Sequence, residues 1–72
     1  MRGKLLRLFQ KSERAVDEAM LRVERQRAIV SGMDKRTPGA DVASLLLRQF
    51  ESNLDLLTAH RDQLLRMVEE II

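Results

Sequence analysis

Seventy-two residues allow one small domain, and the absence of cysteine removes any disulfide to staple it. One histidine and no cysteine cannot make an ordinary zinc site. The formal charge of +2 hides an asymmetry: residues 1–36 hold ten Lys/Arg against five Asp/Glu, whereas residues 37–72 hold three against six.

No run approaches the ~18 consecutive apolar residues of a membrane span. The start, Met1 to Gln10, has a short apolar patch broken by Arg7 and no small-residue cleavage site, so it does not read as a signal peptide. The expected location is cytoplasmic. Opposite charge on the two halves reads first as mutual attraction, and second as a basic surface for nucleic acid or anionic lipid.

The first helical pattern covers about residues 4–35. Leu5, Phe9, Ser12, Val16, Ala19, Val23, Gln26, Val30 and Met33 step by four and three in alternation, a heptad seam with two polar members. Good helix formers fill the remaining positions, and Gly32 is the weak point near the end. A turn is expected at about 34–39. Thr37 before Pro38 suits an N-cap followed by proline at the first helical position, so the second helix is placed at about 38–71. Asp41 in its first turn, and Lys35 and Arg36 at the end of the first helix, suit the helix dipoles.

The second pattern has apolar residues at Ala43, Leu46, Leu47, Phe50, Leu54, Leu57, Leu64, Met67, Val68 and Ile71, with no glycine or proline inside it. Two helices of similar length joined by a short loop make an antiparallel hairpin. Folding about residues 36–37 pairs positions whose numbers sum to about 73, which sets apolar against apolar along the whole seam. The expected fold is all-α, a single coiled-coil-like two-helix hairpin over residues 1–72.

Adjacent apolar pairs such as Leu46-Leu47, Leu56-Leu57 and Leu64-Leu65 point about 100° apart and widen the second helix's face beyond one partner. The economical solution is a homodimer forming a four-helix bundle, and the rival is a groove for another protein's helix. The candidate interface is Leu46, Leu56, Leu65, Val68 and Ile72.

Chemistry finds little support. His60-Arg61-Asp62 has the letters of a kinase catalytic loop without its glycine-rich loop or strand lysine. A lone His at a seam edge more often bonds a polar neighbour than serves as ligand or base. Neighbouring acids such as Asp17-Glu18 and Glu69-Glu70 diverge on a helix, and the Glu-x-x-His of carboxylate-bridged metal bundles is missing because Leu57 stands where the acid should be. No catalytic residue, metal or cofactor is therefore expected, and the chain does not read as an enzyme.

The candidate basic surface is Lys4, Arg7, Lys11, Arg22 and Arg25. With no Tyr or Trp and both Phe in the seams, it offers no stacking platform for bases, so nucleic acid is disfavoured. Lys4, Arg7 and Lys11 alternate with Leu5, Leu6, Leu8 and Phe9, a pattern that also fits a helix lying on an anionic membrane. The plainer reading of those ten residues is the far end of the hairpin.

From Arg25 to Leu65 the sequence resembles a group of small, uncharacterised alphaproteobacterial helical-hairpin proteins. The shared features are Arg25-Gln26-Arg27, Ala43, Leu46-Leu47, Phe50-Glu51, Leu54, and His60-Arg61-Asp62 with Leu64 or Leu65. The turn departs from that group, which usually has a glycine near position 37 followed by Asp and Thr. The resemblance implies a bacterial cytosolic protein and carries no activity or site with it. The expected function is a non-catalytic module that self-associates or binds another helical protein. The alternative is a basic amphipathic module on anionic membrane or nucleic acid.

Overall fold

Every seam position expected in the first half of the chain is turned inward. In the computed structural model, which describes residues 2–71, helix α1 runs Arg2–Gly32 and helix α2 runs Ala40–Ile71. Ser12, Val16, Ala19, Val23 and Gln26 are buried, and Leu5, Phe9, Val30 and Met33 are half-buried. The two helices lie against each other as an all-α hairpin 54 × 13 × 13 Å in extent.

The burial is unequal. On α2 only Leu64 is buried, while Ala43, Leu47, Phe50, Leu54, Leu57 and Val68 are half-buried. The cause is side-chain size. The centre of the α1 seam is Ser, Val, Ala, Val and Gln, which larger α2 side chains overhang and cover completely. Those α2 side chains project past the narrow α1 ridge and stay partly wet.

Polar contacts cross between the helices near the turn and at the open end. Gln26 Nε2 donates to the Ala43 carbonyl across the seam at 2.9 Å. Arg2 reaches the Ile71 carbonyl at 3.4 Å, a pair with the expected sum. Ser12 Oγ donates to the Phe9 carbonyl one turn back at 2.6 Å. Every buried side-chain polar atom among the described residues has a partner, as a low-dielectric seam demands.

The turn differs from the expected one, and both helices give up residues to it. Helix α1 stops at Gly32 instead of 35, its last turn tightened by an i→i−3 bond from Met33 N to Val30 O at 3.2 Å. Thr37 N then donates to Asp34 O at 2.8 Å, and Asp34 Oδ1 accepts from Arg36 N at 3.0 Å. This is an Asx turn, which takes Lys35 and Arg36 out of the helix.

A second turn follows at once. Ala40 N donates to Thr37 O at 3.1 Å, with Pro38 and Gly39 as the central pair and Gly39 at φ 93°. Proline then glycine with positive φ is a type II turn. It overrides Thr37 as N-cap and Pro38 as first helical residue. Gly39 itself holds the cap position, its carbonyl accepting the first helical bond from Ala43 N at 2.9 Å. Helix α2 accordingly starts at Ala40, two residues later than expected, with Asp41 in its first turn as anticipated.

Candidate interaction surface

The ion pair between Arg27 and Glu51, 3.3 Å apart, marks one side of the hairpin. On that side of α2, Asp41, Arg48, Asp55, Asp62 and Glu69 recur every seventh residue, so the charge of the helix is gathered there. Asp62 also accepts from the Arg61 guanidinium at 3.0 Å. Arg61 is half-buried, in heptad step with the seam residues Leu54 and Val68.

The other side of α2 is different. Val42, Leu46, Gln49, Asn53, Leu56, His60, Gln63 and Met67 step by four and three, the same period as the buried seam. All eight are exposed and none is Asp, Glu, Lys or Arg; the next step of the pattern, exposed Glu70, ends the uncharged run. Leu56 is 72% exposed and Val42 68%. In an antiparallel pair, matching flanks of the two helices lie on one side. The α1 flank away from Arg27 therefore borders this stripe, and it presents exposed Leu8 and Ile29.

The five candidate interface residues do not form one surface. Leu46 and Leu56 belong to the uncharged stripe. Leu65 is nine residues from Leu56, a half-turn away, and therefore lies on the opposite side of α2. Val68 is half-buried within the hairpin, where it shares an apolar dent with Arg2, Leu6 and Ile71. Ile72 lies outside the described residues. Sequence reasoning left Val42 and Met67 out of the candidate interface because adjacent apolar pairs show the width of a face and not its line. The signal that finds them is the second run of three-and-four steps.

The candidate basic residues do share a flank. Lys4, Lys11 and Arg25 follow seven-residue spacing with Glu18 between them, and Arg7 and Arg22 stand beside that line. All five are exposed. Lys4, Arg7 and Lys11 surround Leu8 in a shallow depression, and Arg22 and Arg25 line another with Glu18 and Leu21. This ridge borders the same side of the hairpin as the uncharged α2 stripe.

Among the described residues no group of three His, Cys, Asp or Glu is placed to hold a metal ion, and no helix is long and apolar enough to cross a membrane. Compared with protein-family models, with curated proteins and with solved structures, the chain matches none.

Proposed function

We propose that this hairpin is a non-catalytic interaction module of the bacterial cytoplasm that works by packing its second helix against another helix. The observation that carries the reading is the exposed, charge-free α2 stripe with coiled-coil period. A stripe that repeats a seam's spacing on a solvent face asks for a helical partner, and exposed apolar patches of this kind mark interaction sites. Amides at Gln49, Asn53 and Gln63 suit a protein partner, since they find hydrogen bonds in a helix interface and none in hydrocarbon.

A second reading rests on the basic ridge of Lys4, Arg7 and Lys11 around Leu8, which favours an anionic membrane surface or nucleic acid. Solution mass by light scattering separates the two. The module reading expects a mass above that of one chain, or a stable complex with a helical protein, unchanged at high salt. A monomer that gains mass only with anionic vesicles or DNA, and loses it as salt rises, overturns it.

A further inference from the structure

We infer that the occupant of the uncharged stripe is a second copy of this chain, with its α2 antiparallel to the first about a two-fold axis at Leu56. This rests on the interaction-module reading and names the partner and its register. An isologous contact needs a surface that reads the same in both directions, because residue i meets j and j meets i. The stripe has that property.

Pairing positions whose numbers sum to 112 or 113 sets Leu46 against Met67, apolar on apolar. One step inward, Gln49 meets Gln63, and two amides can bond each other. The next pair is Asn53 with His60, again polar on polar. Leu56 meets itself at the centre, and it is the most exposed of the large apolar side chains. At the outer ends Val42 faces Glu70, where the apolar match stops. No like charges meet along this line, which is what lets α2 lie against itself. The line of Asp41, Arg48, Asp55, Asp62 and Glu69 on the other side is four acids to one base and would on balance repel its own copy. The match in length is automatic, since both partners are the same 32-residue helix. Two hairpins joined this way make a four-helix bundle with the two α1 helices on the same side of the α2 pair.

The chain has no cysteine, so single thiols introduced on α2 report the register directly. Leu56→Cys places two thiols at the axis, within reach of a disulfide at helix-packing distance. Gln49→Cys or Gln63→Cys alone leaves like positions about 21 Å apart along the axis, 14 residues at 1.5 Å. Mixing those two variants brings unlike thiols together.

Under mild oxidation, Leu56→Cys should crosslink to a dimer. Each of Gln49→Cys and Gln63→Cys alone should stay monomeric on a denaturing gel, and their mixture should crosslink. Circular dichroism of each variant confirms that the hairpin is intact. A wild-type protein of twice the chain mass whose mixture fails to crosslink overturns this register while leaving the interaction module standing. A wild-type monomer that binds another helical protein overturns self-association, again sparing the module. Mass gained only with vesicles or DNA removes both.

Discussion

Val16, Ala19 and Val23 are 1–3% exposed, and with Leu64 they are the buried apolar side chains among the described residues. Val16→Ala removes two methyl groups from the tightest part of the seam, where covering side chains cannot collapse far. The expected loss is about 2 kcal/mol by urea unfolding. Phe50 reads from sequence as a central core residue, yet it is half-buried. Its ring overhangs the small α1 ridge, so Phe50→Ala should cost less than the ~3–5 kcal/mol of a fully buried aromatic. Gln26 is the more specific test. Its bond to the Ala43 carbonyl satisfies a buried amide and ties the two helices at one level. Gln26→Leu exchanges that bond for apolar packing, so the melting midpoint should not fall. What should change is register: crosslinking between cysteines placed at Val30 and Ala43 should lose selectivity over the neighbouring turn. A sharp drop in midpoint, with register kept, would show that the amide serves stability instead.

At the level of elements, the two helices and the place of the connection were legible, and the geometry of the turn was not. The α1 seam could be read residue by residue because its period is unbroken and each member has one destination. Gly32 stands in a helical run and Gly39 follows Pro38 in the turn, and the backbone bears out the difference. A Cβ at either position meets nothing within 4 Å, but Gly39 alone has positive φ. Gly32→Ala therefore restricts the unfolded chain in a conformation alanine prefers, and should raise stability by about 0.4–1 kcal/mol. Gly39→Ala forces a side chain into the left-handed region and should lower it by about 1–2 kcal/mol. Matched chemical denaturation of the two variants gives the opposite signs directly; equal shifts would contradict the type II turn. Pro38→Ala keeps the turn's hydrogen bond and should lose only a few tenths of a kcal/mol to about 1 kcal/mol.

At the scale of the whole molecule, the surface was half legible. The width of the α2 face showed in its adjacent leucines, but its side did not. Adjacency widens a face in both directions, and it takes the heptad spacing to tell one flank from the other; the Arg27–Glu51 pair then marks which flank carries the charge. Leu56 and Leu65 are alike as members of adjacent pairs, yet their nine-residue separation sets them on opposite sides of the helix. A hairpin of this size with so narrow a covered core has little stability in reserve. If a second copy covers the uncharged stripe, folding and association are linked, and the melting midpoint rises with protein concentration. Circular dichroism melts over a hundredfold concentration range should show that rise for the wild type. Leu56→Lys sets two like charges against each other at the proposed axis while leaving an exposed position of the single hairpin almost untouched. It should weaken dimerisation at least tenfold and flatten the concentration dependence, with helicity at low temperature retained. Leu65→Lys makes the same chemical change on the far side of the same helix and should leave the concentration dependence in place. Equal effects from the two substitutions would place the contact on neither flank in particular. A larger effect at Leu65 would move it to the side that carries the ion pair.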